Sequence, residues 1–382
     1  MKGQKREEQR RIRKGSGAVL AFFIGSGFAS GQEILQFFGA YGTGKGALGL
    51  CLSLFFVYLC VYRILLDGGK RQNMRASELL NWYCGPYLGA LLEWLTPFFL
   101  FLCYSVMLAG SGALLGEYLG LQVQTGRLLM LALSLGTVLL GLNRLTEIIG
   151  RIGPVIVALV FGLGLACVLR QGGMPLVSAA EARQAGILPS AESWILSAFL
   201  YAGFTVLTAL PFLTGLGKSL SSEKERSRCA FYGCGIYWAG AMLLLLGLLA
   251  SLEEIGGKGV PTVYLAEQLV PGAGLVFAAV MFAGIYTTAV PMLWSVGSRL
   301  ASEEHRGRFS LACMAVAGGA FLWSRMDFSF LVGTVYPYIG YFGLAIVVCI
   351  LRKGIHTRSK RGISAGKVFT GGFSQWPPHT WR

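Results

Sequence analysis

Charge is scarce in this chain. Only 13% of its 382 residues are Asp, Glu, Lys or Arg, against about 25% in an ordinary soluble protein. With 54% hydrophobic residues and a mean hydropathy of +0.60, a water-soluble globule is excluded. Histidine is nearly absent: His305, His356 and His379 all fall in predicted loops or tails. The nine cysteines form no metal-spaced pair and none lies in a predicted outside loop, so neither a zinc centre nor a disulfide framework is expected. No His/Cys/Asp constellation lies within the apolar runs, which leaves hydrolytic or metal chemistry without residues, and no cofactor motif is present. The chain is therefore not expected to be an enzyme. GLGKS at 215–219 imitates the end of a phosphate-binding loop, but Phe212 stands where that loop needs a glycine. Short alternating strands are missing too, which excludes an outer-membrane barrel. The opening MKGQKREEQRRIRKG is too long and charged for a signal peptide and no small-residue cleavage site follows, so the first span is expected to be retained.

What the chain has in quantity is apolar runs near twenty residues long, each able to cross about 30 Å of hydrocarbon. They place spans at about 16–41, 44–66, 90–119, 126–142, 147–169, 191–217, 229–252, 272–299, 308–323 and 327–351, ten in all. Lysine and arginine then divide unevenly between the two sides. The N-terminal tail, the loops around 67–89, 143–151, 218–228 and 299–308, and the C-terminal tail, with Arg63, hold 27; Lys45, Arg127, Arg170, Arg183, Lys258 and Arg325 are the other six. By the positive-inside rule this is a multi-pass protein of the cytoplasmic membrane with both termini in the cytoplasm. The net charge of +15 is thereby topogenic and faces anionic lipid headgroups, with no nucleic acid implied.

The chain divides into a basic tail (1–15), spans one to five (16–169), an outside linker (170–190), spans six to ten (191–353) and a tail (354–382) whose composition predicts disorder. Because five is odd, the second half enters from the opposite side, so any internal repeat is inverted, as in many secondary transporters. The first span carries an unusual centre, IGSGFASGQEILQFF, with three glycines, two serines, two glutamines and Glu33. Nine residues from Ser16 to Ile24 cover about 14 Å of helix, so the Gly25–Gly31 patch falls near mid-membrane. In the sixth span, SAFLYAGFTVLTALPFL, Gly203 lies at similar depth. Two breaks at one depth suit a midplane site, because non-helical backbone is tolerated there only in protein or beside a wet cavity. Unwinding would free carbonyls for cations and amides for a carboxylate. Close helix packing is the competing reading of the glycines.

GSGFASGQEILQFF, with the ten-span length, resembles the YkvI-type bacterial membrane proteins of the amino acid–polyamine–cation superfamily. The resemblance implies an all-α polytopic fold with a LeuT-like five-plus-five inverted repeat and broken first and sixth helices. It also implies sodium- or proton-coupled uptake of a small organic solute, such as an amino acid or related amine. A LeuT-fold sensor resembling a germinant-receptor subunit, or a channel, is the alternative. Carried over, a sodium site would use carbonyls at Gly25 and Phe28 with Gly284, Thr287 and Thr288 of the eighth span. Threonines that bond their own helix are the competing reading. The solute would lie against Ser26, Gly27, Ser30 and Gly31, facing Ala202, Gly203, Phe204 and Thr205. Glu33, just outward of the break, is a candidate to bind a cation, carry a coupling proton or pair with an ammonium; a structural bond to free amides is the alternative. Glu93, Arg63, Glu147 and Arg151 read as end-of-span pairing. Tyr201, Trp238, Tyr286 and Trp294 read as packing before cavity lining. Residues 261–270 read as a short outer helix on which Glu267 is solvated.

Overall fold

A computed structural model describes the backbone of residues 2–140, 145–302 and 304–370. The side chains of 2–3, 145–154, 157 and 355–370 lie outside the described residues, and with them Glu147 and Arg151. In chain order the helices are α1 (Lys2–Phe23), α2 (Ser26–Ser30), α3 (Gln32–Phe37), α4 (Gly42–Lys70), α5 (Ala76–Cys84), α6 (Pro86–Leu119), α7 (Val123–Leu140), α8 (Leu145–Gln171) and α9 (Ala179–Gln184). They continue as α10 (Trp194–Ser219), α11 (Glu223–Ala250), α12 (Leu252–Ile255), α13 (Pro261–Leu269), α14 (Ala273–Leu300), α15 (Arg306–Trp323) and α16 (Phe328–Thr370). No strand occurs among the described residues. Among the described residues, seven stretches are long and apolar enough to cross a membrane on length and composition alone, Gln32–Lys70 being one. The other expected spans correspond to α1, α8 and α15. We call the end that holds Lys2 and Lys70 the basic end.

Local chemistry explains the helix limits. Ser193 and Ser222 accept from the amides of Leu196 and Glu225 at 3.2 and 3.1 Å, starting α10 and α11. The GLGKS stretch is the last turn of α10. Arg226 reaches over from α11, and its Nε donates to the Gly217 carbonyl at 2.8 Å while its terminal nitrogen donates to Leu220. Those bonds satisfy carbonyls that a helix end leaves open.

α1 runs through the predicted boundary at residue 15 without a break. Its first half is rich in Lys, Arg, Glu and Gln, all good helix formers. It is held to α11 by Arg11 with Glu225 at 3.0 Å and by Glu8 with Arg228 and Lys224 at 3.6 and 3.8 Å. Burial alone would work against the Glu225 charge, but Arg11 and the Ser221 amide hold its carboxyl below the ordinary range, and the Arg11 guanidinium is raised in turn.

Two expectations need correction. The tail after 354 does not lose structure there: helix continues to Thr370. Propagating an existing helix is far easier than starting one, and no proline interrupts 354–370. The sixth span, α10, is not broken either. It passes helically through Gly203 and Pro211, because Gly203 serves close approach. A Cβ at Gly203 would run into the Gly340 carbonyl and come within 2.9 Å of the Gly343 carbonyl carbon of α16. Small residues facing each other let two membrane helices pack at backbone contact.

The 170–190 linker is tied to the end of the first span. Thr43 and Val177 exchange two bonds at 2.9 and 3.0 Å, Ser190 Oγ donates to the Gln36 carbonyl at 2.8 Å, and Tyr41 donates to Ala191 at 2.6 Å.

Candidate functional site

The first helix stops at Phe23. Gly25 is extended (φ −89°, ψ −173°), α2 makes little more than one turn, and Gly31 takes φ +88°, a region that favours glycine. No backbone hydrogen bond among the described residues joins α1 to α2; the first one beyond the break is Ala29 N–H to the Gly25 carbonyl at 3.0 Å. The last carbonyls of α1 therefore lack ladder partners, and that end of a helix favours cations.

Glu33, in the first turn of α3, is the charged group at the break, and it is only 4% exposed. The Tyr201 hydroxyl of α10 donates to its Oε1 at 2.7 Å. Tyr201 also bonds the Tyr237 hydroxyl of α11. Its single proton is already given to Glu33, so Tyr237 must be the donor in that second bond. The ring of Tyr237 packs on Phe23 and Phe28, at 5.2 and 4.9 Å between centroids, and so spans both sides of the break. Edge contacts with Phe37 and Phe38 fix Tyr201.

Beside Glu33 lies a small cavity of about 30 Å³, room for a water or two. Gly25, Glu33, Phe204, Thr205 and Thr288 line it, all of them expected from sequence. Phe22, Phe23, Met107, Thr208, Met292 and Tyr336 line it as well and were not expected. Phe204 stacks on Tyr336 at 4.2 Å and 20°. Thr208 sits one turn from Thr205 on the same face of α10, a spacing legible in the sequence. Met107, Met292 and Tyr336 arrive from other helices, and no local pattern marks them.

The remaining expected residues separate. Ser26 is fully buried at the break. Gly27 backs onto Glu33: a Cβ there would lie 2.6 Å from Oε2. Ser30 closes the turn, donating to the Gly27 carbonyl at 3.0 Å and accepting from the Gln32 amide at 3.2 Å. Gly31 packs under Leu248 and Thr262. Ala202 and Gly203 do not line the cavity; Gly203 faces α16. Tyr201, expected as packing, instead holds Glu33. Tyr286 bonds Thr137 at 2.7 Å and Trp238 is half exposed. Glu267 is not merely solvated: it accepts from the Gly272 and Gly274 amides at 3.0 Å and from Tyr118 at 2.9 Å. The two amides and the tyrosine hold its carboxyl below the ordinary range. It stands on α13, the expected outer helix, whose Thr262 donates to the Ala29 carbonyl at 2.6 Å.

At the expected ion site, Thr287 and Thr288 both donate to the Gly284 carbonyl, at 2.8 and 3.2 Å. Thr288 also approaches the Ile24 carbonyl at 3.5 Å. The carbonyls of Gly25 and Phe28 are used by Ala29 and Gly31 within the first span. An oxygen just past the end of α1 that faces α14 is thus the Ile24 carbonyl, beside the expected Gly25. Hydroxyl and carbonyl oxygens are the donors that hard cations take.

Larger cavities lie one turn away on either side. At the basic end about 300 Å³ is lined by Leu207, Pro211, Trp294, Ser295 and the Glu93–Arg299 ion pair, among others. At the opposite end about 430 Å³ is lined by Gln32, Gln36, Glu117, Lys258, Asp327 and Gly333, among others. Gln32 bonds the Lys258 carbonyl at 2.5 Å and Gln36 the Ser329 carbonyl at 3.0 Å, closing the floor of that cavity above Glu33.

No family model matches the chain. It is 25% identical over 354 residues to the uncharacterized membrane protein YkvI of Bacillus subtilis, covering 89% of this chain and 96% of YkvI. It is 26% identical over 337 residues to the uncharacterized protein YyaD of the same organism, covering 87% and 94%. Among solved structures, MhsT in complex with L-phenylalanine superposes with a TM-score of 0.60 at 14% identity, over 87% of this chain and 85% of MhsT. The Eremococcus coleocola manganese transporter, in complex with an aromatic bis-isothiourea substituted compound, gives 0.57 at 12% identity, over 87% and 76%. The chain thus has the LeuT-like fold and is similar along almost its whole length to the YkvI-type membrane proteins.

Proposed function

We propose that this protein is a secondary transporter, a symporter that moves a small organic solute, an amino acid or related amine, by alternating access. The observation that carries this reading is the column of three spaces. A small chamber of about 30 Å³ at a helix break lies between cavities of about 300 and 430 Å³ that open toward opposite ends of the bundle. Alternating access needs a central site whose two barriers open in turn. Gln32 and Gln36 form one barrier, and the packed turn of Leu207, Thr208 and Met292 forms the other.

Sodium is the coupling ion in this reading, held between Thr288, Thr287 and the broken end of α1 around Ile24 and Gly25; a proton on Glu33 is the competing one. Both termini lie in the cytoplasm and the bundle crosses the cytoplasmic membrane. That MhsT was solved with an amino acid, and that a second neighbour is a manganese transporter, agrees with transport on this fold. Uptake into proteoliposomes, with sodium, proton or no gradient imposed, tests it. Saturable, gradient-driven accumulation is expected. Binding with no accumulation under any gradient would point to a sensor, and gradient-independent flux to a channel.

A further inference from the structure

We infer that the central chamber is a cation site, and that its organic ligand is an amine without a carboxylate, with Glu33 as its counter-charge. This narrows the solute class within the transporter reading and rests on that reading for its context.

The first observation is charge. Among the described residues Glu33 is the one charged side chain lining the chamber, with no lysine, arginine or histidine beside it, and its hydrogen-bond partner is a neutral tyrosine. Burying an ionised carboxylate without a cation is costly; with no basic side chain in the lining, a proton on Glu33 or a cation brought in with the ligand relieves that cost.

The second is direction. Tyr237 donates to Tyr201 and Tyr201 to Glu33, so both hydroxyl protons run toward the carboxylate. A chain polarised in that sense strengthens the negative end. It leaves Oε2, on the Gly27 side, as the oxygen free of Tyr201.

Third, the other polar groups suit a positive head. Thr205, Thr208, Thr288 and Tyr336 offer hydroxyl oxygens, and the open carbonyl end of α1 lies beside them. The stacked rings of Phe204 and Tyr336 line the chamber, and aromatic rings are favourable neighbours for an ammonium. A ligand carboxylate would meet the opposite. It would face Glu33 directly, and the amide of Gln32 that begins α3 is already taken by Ser30 Oγ.

Size then sets what changes on binding. About 30 Å³ takes a small ammonium head but no hydrocarbon body. Met107 and Met292 border the space, and unbranched thioether side chains re-pack readily. The apolar part of the amine would displace them.

The test uses the purified full-length protein and matched ligands: phenethylamine beside phenylalanine, isoamylamine beside leucine, and phenethyl alcohol as the uncharged analogue. Thermal shift should show the amines stabilising the protein with at least about tenfold higher affinity than their amino acids, about 1.4 kcal/mol. The alcohol should give no shift, a comparison that needs no variant. Glu33→Gln keeps size and hydrogen-bonding reach, and should lose the amine response. Equal or better binding of the amino acids, an alcohol as effective as its amine, amine binding retained in Glu33→Gln, or no response to any amine would each overturn the inference. Uptake of the same compounds separates the two readings. Amines that bind but are not accumulated uphold the cation site and sink transport. Amino acids accumulated in preference to amines sink the cation site and uphold transport.

Discussion

Gly27 shows how much one hydrogen atom decides. Its missing side chain leaves the space that Glu33 uses: a Cβ would sit 2.6 Å from Oε2 and 3.1 Å from Tyr336. Gly27→Leu should therefore abolish uptake while leaving membrane insertion and expression normal. Full uptake by the variant would return the glycines of the break to a packing role. The threonines of α14 are subtler, because both already donate to the Gly284 carbonyl. A hydroxyl that donates to a carbonyl still has lone pairs to offer an ion. Thr287→Ala with Thr288→Ala should raise the half-saturating sodium concentration by about tenfold or more, equal to about 1.4 kcal/mol of lost coordination. Unchanged sodium dependence would make the proton on Glu33 the better account. At this scale the sequence was a good guide where the signal was chemical. An acid and hydroxyls inside apolar runs are conspicuous, so Glu33, Thr205 and Thr288 could be picked out. It was a poor guide to Tyr201 and Tyr336, since an aromatic residue in a membrane span looks alike whether it packs or bonds.

Among the elements, two spans with similar glycine motifs behave differently. Gly27-Phe28-Ala29 lies in a real interruption, whereas Gly203-Phe204-Thr205 lies in continuous helix. The flanks account for this: the first patch has three glycines in seven residues, Gly25, Gly27 and Gly31, whereas Gly203 stands alone in its turn. Each interior glycine weakens a helix by about 1 kcal/mol, so the first span yields and the sixth does not. Gly203→Ala should then destabilise the α10–α16 pair by about 1–3 kcal/mol through overpacking, because the obstructing atoms are backbone. A thermal melt in detergent measures this, and an unchanged melting temperature would contradict the close approach.

A second element-level test concerns the docking of α1 on α11. Glu225 is held below its ordinary value by Arg11 and backbone amides, with burial opposing. A depressed carboxyl contributes stability that is complete above its unfolded value, about 4.3, and is lost as pH falls through the folded value. The N-terminal helix should therefore stay docked at neutral pH and loosen only in acid below about pH 4.3. Protease access to residues 2–15 against pH reads this out. Release near pH 7 would show that other contacts govern the docking.

For the whole molecule, the distribution of charge makes an orientation testable. With 27 of 33 lysines and arginines in the loops and tails that the sequence assigns to one side, reporter fusions should place both termini and the 218–228 loop in the cytoplasm. Fusions in 171–190 and 253–271 should report the opposite side. A C-terminus outside would remove the inverted repeat and with it the opposed entry of α1 and α10.

What the sequence by itself determined are the properties that each segment carries alone. Whether a run can lie in hydrocarbon depends on its own transfer free energy, so the helical membrane fold was legible, and the loop charges supplied an expected orientation for the fusions to test. The weak centre of the first span was legible for the same reason, since helix propensity is local. What only the tertiary structure decided is which groups meet. The Tyr237–Tyr201–Glu33 chain joins residues more than 160 positions apart, and the Ile24 carbonyl opposes Thr288 across 264. That the Ile24 carbonyl faces α14 depends on where the break begins to within one residue. Gly203 became a packing contact because α16 brings Gly340 and Gly343 against it. Such pairings depend on the distance and direction between helices, and no single helix's sequence contains them.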